Sequence, residues 1–255
     1  MGSQRVKEVE DKLIKINEIG IGDSESTKDA IVDLSEIITT GLSSEDEDLC
    51  ISILFKEGGL VEFCKAVACD NRFINAKKEA LDLFNFLFEK KSVLVMKYAN
   101  QLEKLSRQLY NANDSSKVRC SALNLFCTLL LKASHELEFE GFDFGRFVEQ
   151  LYIDIKKNKG SLVTLGILCN CCPENVAPKA NLILKILKEQ LIKKTGRQPD
   201  LTVAAGAVKG LTYYINNFPQ GLEDNSAFYS DLYPHIHKLL NPELKLPKRE
   251  AQRGI

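Results

Sequence analysis

Apolar side chains recur along this chain with the 3.6-residue period of amphipathic α-helices, while the alternating pattern of β-strands is nearly absent. Two apolar stripes consist of Ala122, Leu125, Phe126, Leu129 and Leu130, and of Ile183, Ile186, Leu187 and Leu191. A third stripe, on a helix predicted from Thr202 to Phe218, consists of Ala204, Ala207, Val208, Leu211, Ile215 and Phe218. The pattern predicts an all-α protein.

The predicted helices form pairs whose spacing indicates a repeat. First helices are expected to begin near Asp29, Asn75, Ser115, Gly160, Asp200 and Pro247, roughly 40 to 49 residues apart, the period of HEAT and armadillo helix pairs. Second helices are expected over Leu49–Cys69, Ser92–Ala112, Phe142–Lys157, Glu174–Lys194 and Phe228–Leu240. Because each pair has an apolar face that it cannot bury alone, neighbours must stack. We predict one HEAT/armadillo-like α-solenoid of about five stacked helix pairs over residues 1–255.

Local signals support these boundaries. Pro173 ends one helix and begins the next, and Gly206 and Gly210, four positions apart, favour close approach of a neighbouring helix. The repeat that begins near Pro247 is unfinished at Ile255 and lacks a polar cap. The sequence therefore predicts an N-terminal fragment of a much longer chain, whose remaining solenoid would be one of its partners.

Charge is distributed unevenly along a chain whose formal net charge is −1. Residues 1–48 hold five basic and thirteen acidic side chains, whereas residues 156–210 hold ten basic and three acidic ones. Such an asymmetry can indicate an anionic partner for the basic region, although a solvated charged face would also produce it. The role of the acidic residues 1–48 stays open.

The eight cysteines are not those of a secreted disulfide framework, because no signal peptide precedes them. Cys127 and Cys169 lie in apolar helical stretches, where small core residues are expected. The longest apolar run, Leu162 to Cys172, is too short to span a bilayer. We therefore predict reduced thiols in a cytosolic or nuclear protein with no membrane partner.

Motifs that could carry enzymatic chemistry lack their required companions. Asp143-Phe144-Gly145 spells the magnesium-binding triplet of protein kinases, but no catalytic loop or strand lysine accompanies it, so Asp143 is interpreted as a helix N-cap. Cys169-Asn170-Cys171-Cys172 lacks the second ligand pair of a zinc site, and His235 and His237 project to different sides of a helix. We predict no catalytic residue, no metal, no cofactor and no small-molecule substrate.

Clustered lysines are the remaining candidates for binding. Because a solenoid holds equivalent helix ends in a row, basic turns can align into a stripe that follows a phosphate backbone, although lysines at helix C-termini also complement the helix dipole. No aromatic stacking platform or base-reading motif accompanies these lysines, so such binding would be sequence-independent. The predicted contacts to DNA are Lys156, Lys157, Lys159, Lys193, Lys194, Arg197, Lys248 and Arg249.

A family resemblance lies in Leu201–Leu211, Asn217-Phe218 and the run Pro242–Gly254, with weaker similarity at Glu79–Glu89, Lys117–Phe126 and Lys156–Lys194. These segments resemble the N-terminal region of the catalytic subunits of DNA-dependent protein kinase, within the phosphatidylinositol 3-kinase-related kinase family. The resemblance covers residues 60–254, and the acidic residues 1–48 depart from it. It implies a nuclear serine/threonine kinase whose kinase domain lies far C-terminal, and whose N-terminal α-solenoid holds DNA ends with the Ku heterodimer in non-homologous end joining.

The preferred hypothesis is thus a non-catalytic scaffold that binds double-stranded DNA ends and Ku. Lys156, Lys157 and Lys159 match a basic helix end of the family, which makes them the first candidates for phosphate contacts. An alternative is a free-standing armadillo/HEAT adaptor that grips peptides or helices of partner proteins. A third, an enzyme using Cys169 or Asp143, lacks the groups that those chemistries need.

Overall fold

The computed structural model describes residues 4–19, 23–40, 44–112, 115–155, 158, 160–192, 194–195, 198–199 and 201–218. Over these residues the chain is almost entirely helical, with helices packed in pairs, which confirms the predicted all-α class. The chain divides into two compact units, residues 1–141 and 142–255. The continuity of a single solenoid over residues 1–255 stays a prediction.

The first unit consists of eight helices in its described part. Helix α5 packs between α2 and α8, α7 packs on α8, and α1 packs on α2 and α3. Short 3₁₀ turns at Asn71–Phe73, Met96–Tyr98 and Ser134–Glu136 adjoin α5, α7 and α8. The helices are α1 Gln4–Ile19, α2 Ser24–Thr39, α3 Ser44–Phe55, α4 Leu60–Ala66, α5 Ile74–Lys90, α6 Ser92–Val95, α7 Ala99–Ala112 and α8 Ser116–Ala133.

The second unit is centred on α10, which packs on α9, α12 and α13. A 3₁₀ turn at Ala177–Lys179 joins α11 to α12. Between α12 and α13 lie two antiparallel strands of two residues each, which the sequence pattern does not predict. The elements are α9 Phe144–Asp154, α10 Gly160–Cys171, α11 Pro173–Val176, α12 Ala180–Ile192, β1 Lys194–Thr195, β2 Gln198–Pro199 and α13 Leu201–Asn217.

The single helix predicted over Leu49–Cys69 is wrong, because the chain turns between α3 and α4. Gly58 has φ +72°, a left-handed conformation that favours glycine. At Gly59, an added Cβ would lie 2.5 Å from the carbonyl oxygen of Leu54. The turn is fixed from outside as well, since Asn17 Nδ2 donates a 2.6 Å hydrogen bond to the carbonyl oxygen of Gly58.

Other predicted boundaries hold with adjustments. The predicted starts near Asn75, Ser115, Gly160 and Asp200 agree within one residue with α5, α8, α10 and α13. The start near Asp29 is five residues late, because Asp23 caps α2 by accepting from the backbone N–H groups of Glu25 (3.1 Å) and Ser26 (3.5 Å). Each second helix expected over Ser92–Ala112 and Glu174–Lys194 is interrupted by a 3₁₀ turn.

One helix was missed and another is shorter than expected. Helix α1 was not predicted, and the helix expected over Phe142–Lys157 is observed as the shorter α9, Phe144–Asp154. The predictions at Phe228–Leu240 and Pro247 lie outside the described residues.

The buried face of α13 is rotated slightly from the predicted one. Ala204, Ala207 and Leu211 are buried as expected, but Tyr214 is buried and Ile215 is exposed. Val208 and Phe218 are half-buried. The ring of Tyr214 stacks on that of Phe218, with centroids 5.2 Å apart.

Candidate nucleic-acid interface

The turn between α9 and α10 is the place where Lys156, Lys157 and Lys159 fall in the sequence. Those three lysines lie outside the described residues. Asn158, which stands among them, is buried, and its backbone N–H donates to the carbonyl oxygen of Asp154 at 2.7 Å. The Oδ1 atom of Asn158 accepts a 3.0 Å hydrogen bond from the N–H of Gly160, so this side chain caps the start of α10. The turn thus has a fixed, buried anchor.

The last turn of α9 exposes two adjacent apolar side chains. Tyr152 is 44% exposed and Ile153 is 68% exposed, whereas Asp154 and Ile155 are buried. The sequence gives no signal for an exposed Tyr152, because a lone aromatic residue in a helical stretch is expected to pack in the core. An exposed aromatic ring can stack on the unpaired bases of a single strand, which is a different mode of binding from phosphate contacts to a duplex.

The second predicted cluster falls at the hairpin between α12 and α13. In this hairpin Lys194 pairs with Pro199 and Thr195 with Gln198. Lys193 and Arg197 lie outside the described residues, and of Lys194 only the backbone is described. Lys248 and Arg249 also lie outside the described residues. The grouping of the eight predicted DNA contacts therefore stays a prediction.

Two other lysines of the second unit are engaged with carboxylates. Lys179 Nζ lies 2.8 Å from Glu149 Oε1, and Lys185 Nζ lies 4.0 Å from Glu189 Oε1. Lys209 on α13 is exposed and pairs with no carboxylate in the described part of the chain. Positions two apart on a helix face different sides, so Lys209 could have been predicted to be exposed from its place between the apolar Ala207 and Leu211. Lys209 is thus an additional candidate for an anionic partner.

Asp143 is an N-cap, as its sequence position predicts. Its carboxylate accepts a 2.9 Å hydrogen bond from the backbone N–H of Arg146 in the first turn of α9. Phe142 packs against Phe144 and Phe147, with ring centroids 4.5 and 5.1 Å apart. The kinase-like triplet therefore begins a helix and contributes to its packing.

The cysteines near the end of α10 have the properties of core residues. Burial, together with the neighbouring Cys172 thiol, raises the pKa of Cys169 to about 12. Burial also raises the pKa of the half-buried Cys171 thiol, which accepts a 3.7 Å contact from Asn170 Nδ2. Such thiols are protonated at neutral pH and are poor nucleophiles and metal ligands. Among the described residues, no group of three or more His, Cys, Asp or Glu side chains is arranged to hold a metal ion.

Of the three histidines, His135 alone lies among the described residues. His135 is exposed, and its Nε2 lies 3.5 Å from Glu136 Oε1. His235 and His237 lie outside the described residues.

A groove lies between α1 and the turn that joins α3 to α4. Its volume is about 620 Å³, and its apolar lining includes Leu13, Ile14 and Ile53. Ile14 is 55% exposed, and the ion pair between Lys56 Nζ and Glu10 Oε1 (3.1 Å) borders the groove. The first unit therefore has a concave surface with an exposed apolar side chain.

Comparison with known proteins relates the chain to one family. The family described as "DNA-PKcs, N-terminal" matches residues 48–253. The DNA-dependent protein kinase catalytic subunit of Xenopus laevis is 26% identical over 226 residues, covering 84% of this chain. The mouse and dog subunits are 24% and 26% identical and each cover 81% of this chain.

The chain spans about 5% of the length of these relatives. In the described part of the chain, no helix has the length and apolar character needed to cross a membrane. The match is to the N-terminal region and not to the kinase domain, in agreement with the prediction that this segment is non-catalytic. The match covers well over half of the residues and confirms the predicted resemblance, so the chain belongs to the DNA-PKcs N-terminal family.

Proposed function

We propose that this chain is a non-catalytic scaffold arm of a DNA-dependent protein kinase. The observation that carries the proposal is the family match over residues 48–253, which supports a role in that kinase. In this function the arm binds the phosphate backbone of double-stranded DNA ends together with the Ku heterodimer. Its setting is nuclear double-strand break repair by non-homologous end joining. The remaining solenoid of its own longer chain is a further partner.

The charge distribution supports phosphate binding by the second unit. Ten basic and three acidic side chains in residues 156–210 create a local excess of positive charge. Neutralising phosphates with lysines releases condensed counterions, which favours binding without reading the sequence. Lys156, Lys157 and Lys159 are the first proposed contacts, and Lys193, Lys194, Arg197, Lys248 and Arg249 extend the surface.

The preference for DNA ends is tested by comparing a blunt-ended duplex with a closed circular duplex in binding titrations, with and without purified Ku. The expected result is tighter binding to the linear duplex and a further gain when Ku occupies the end. Equal affinity for both forms would contradict end recognition. Absence of any gain with Ku would contradict the Ku partnership.

The groove beside α1 favours a second candidate function, a free-standing adaptor for a peptide or helix of another protein. The exposed side chain of Ile14 and the volume of about 620 Å³ would suit an apolar side chain of such a segment. This function predicts peptide binding that depends weakly on salt and is lost in the Ile14→Asp variant. It also predicts no affinity for DNA, which separates it from the scaffold.

A further inference from the structure

One face of α1 lines the groove beside the turn between α3 and α4. It carries Lys7, Asp11, Ile14 and Glu18, which are three or four positions apart and therefore lie along one side of the helix. All four residues are exposed. This face thus presents an apolar side chain with one carboxylate on each side of it.

The opposite wall of the groove is the turn between α3 and α4, which includes Glu57 and Gly58. Two contacts hold this turn beside α1. Asn17 Nδ2 donates to the carbonyl oxygen of Gly58 at 2.6 Å, and Lys56 Nζ lies 3.1 Å from Glu10 Oε1. A wall fixed in this way is in place before a partner binds, which lowers the entropic cost of binding.

The inside of the groove is apolar. Leu13 and Ile53 line it and are 3% and 6% exposed, whereas Ile14 is 55% exposed. Covering Ile14 with another apolar side chain is favourable because it removes apolar surface from water. The volume of about 620 Å³ has room for a large apolar side chain and for the methylene stems of flanking residues.

Three carboxylates form an acidic rim around the groove, namely Asp11, Glu18 and Glu57. All three are exposed, and within the described ranges none of them forms an ion pair. Lys56, which adjoins Glu57 in the sequence, is already paired with Glu10. Carboxylates grouped around one groove repel one another and attract cations. The acidic rim is therefore complementary to basic side chains.

We infer that the groove docks an amphipathic helix of a partner protein, in which one large apolar side chain is flanked by lysines or arginines. This inference deepens the second candidate function and rests on the groove proposed there. The apolar side chain enters beside Ile14, and the flanking cations face Asp11 and Glu18. Glu57 attracts a further basic side chain from the opposite wall.

Helical spacing determines where the basic residues of the partner stand. Asp11 lies three positions before Ile14, and Glu18 lies four positions after it. At about 1.5 Å per residue, these carboxylates are displaced from Ile14 by roughly 4.5 and 6 Å along the helix axis. A partner helix that runs along α1 has the same rise, so its basic residues stand three or four positions from its apolar anchor. Lys7, one further turn away, favours an acidic or neutral residue at that end of the partner.

The acidic rim distinguishes this site from the proposed phosphate contacts. Carboxylates repel phosphates, so the groove does not suit a nucleic acid, whereas residues 156–210 carry an excess of basic side chains. The lining residues that the structure describes all belong to the first unit. Failure of DNA binding would thus contradict the scaffold function without affecting this inference.

A designed peptide tests the inference by fluorescence anisotropy with the 255-residue protein. The labelled helical peptide has a central leucine, one arginine three positions before it, one arginine four positions after it, and alanine and glutamine elsewhere. We expect saturable binding to the wild-type protein. Asp11→Asn/Glu18→Gln/Glu57→Gln should weaken binding about tenfold, because each of three surface ion pairs contributes little by itself.

Two further variants separate charge at the groove from charge elsewhere. The control Glu89→Gln/Glu138→Gln/Glu174→Gln removes three exposed carboxylates outside the groove and changes the net charge equally, so it should bind the peptide like the wild type. Ile14→Asp should abolish measurable binding by removing the apolar contact. Thermal unfolding of each variant confirms that its fold is intact.

Two results would overturn the inference and leave an apolar adaptor groove in place. The first is equal affinity for this peptide and for one with glutamates instead of its arginines. The second is equal weakening of binding by the two triple variants. Absence of binding to both peptides would contradict the adaptor function as well as the inference.

Discussion

Gly166 and Gly210 meet where α10 and α13 cross. A Cβ added to Gly166 would lie 2.4 Å from the Cα of Gly210, and one added to Gly210 would lie 2.7 Å from the carbonyl oxygen of Leu162. These atoms belong to backbone, so they cannot move aside as a flexible side chain can. The close approach predicted for Gly210 is therefore real, and its partner is Gly166.

Gly210→Ala should lower the free energy of unfolding by about 1–3 kcal/mol, because the added methyl group forces α10 and α13 apart. Chemical denaturation of the purified variant measures this loss. Gly145→Ala in α9 is the control, since its added Cβ would meet only side-chain atoms at 3.3 and 3.4 Å. Unchanged stability of Gly210→Ala would contradict the crossing geometry.

Lys77 is a buried cation that closes the end of α4. Its Nζ donates to the carbonyl oxygens of Val67 (3.2 Å), Ala68 (2.9 Å) and Asp70 (3.0 Å). Lys77→Met keeps the apolar stem but leaves these carbonyls without the ammonium, and it should cost about 2 kcal/mol of unfolding free energy.

The neighbouring residue supplies a matched control for Lys77. Lys78 Nζ forms ion pairs with Glu79 (3.1 Å) and Asp82 (2.8 Å) on a partly exposed surface. Such pairs contribute little, so Lys78→Met should cost less than about 1 kcal/mol. Equal melting temperatures of the two variants would show that the Lys77 contacts do not stabilise the fold.

The stability of the protein should decrease above pH 9. Burial raises the pKa of the Cys64 thiol to about 12, and the pKa of Cys169 is raised to about 12 as well. Unfolded thiols ionise near pH 9.0, so between pH 9.0 and about 12 the folded state binds more protons and the unfolding free energy falls. The loss is roughly 1 kcal/mol per thiol by pH 10.

Denaturation curves between pH 8 and pH 11 measure this effect. The double variant Cys64→Ala/Cys169→Ala should show a flatter pH dependence, whereas Cys69→Ala, at an exposed position, should not. Lys77 acts in the opposite direction, because burial lowers its pKa and its contribution to stability therefore rises with pH. An equal slope in the double variant and the wild type would refute the assignment to these thiols.

Asp143→Ala should destabilise the second unit by about 1 kcal/mol through loss of the α9 cap, while Asp143→Asn retains the acceptor and most of the stability. Thermal unfolding with and without Mg²⁺ provides the measurement. The N-cap role predicts no effect of Mg²⁺ on the melting temperature. A magnesium-dependent rise that Asp143→Asn abolishes would instead favour a metal-binding role for the triplet.

Sequence periodicity predicts the helices well where apolar residues follow one face without interruption. The stripe on α8 and that on α12 are buried as predicted, because long apolar side chains at helical spacing have few other places to lie. Periodicity does not predict where a helix ends when backbone conformation determines the end, as at Gly58, whose φ of +72° lies in the turn between α3 and α4. Helix α1 was not predicted although its buried Val6, Val9, Leu13 and Ile16 recur at helical spacing, because the stripe is narrow and lies among many charged residues.

Contacts between distant positions could not be predicted in this way. The hydrogen bond from the backbone N–H of Glu138 to Asn100 Oδ1 joins residues 38 positions apart, and no local pattern relates them. Likewise, the sequence indicates that Gly210 favours a close approach but does not identify Gly166. The predicted phosphate contacts rest on charge and family resemblance, since all eight are lysines or arginines whose side chains lie outside the described part.

The most direct test of the scaffold function is the salt dependence of DNA binding by the wild type and the Lys156→Ala/Lys157→Ala/Lys159→Ala variant. Fluorescence anisotropy with a short duplex gives the slope of log K against log salt. Each lost phosphate contact reduces the slope by about 0.9, so the variant's slope should be smaller by roughly 2.7 for any duplex sequence. The control Lys15→Ala/Lys90→Ala/Lys132→Ala, exposed in the first unit, should keep the wild-type slope. A wild-type affinity that does not change with salt, or equal slopes in both triple variants, would contradict the account.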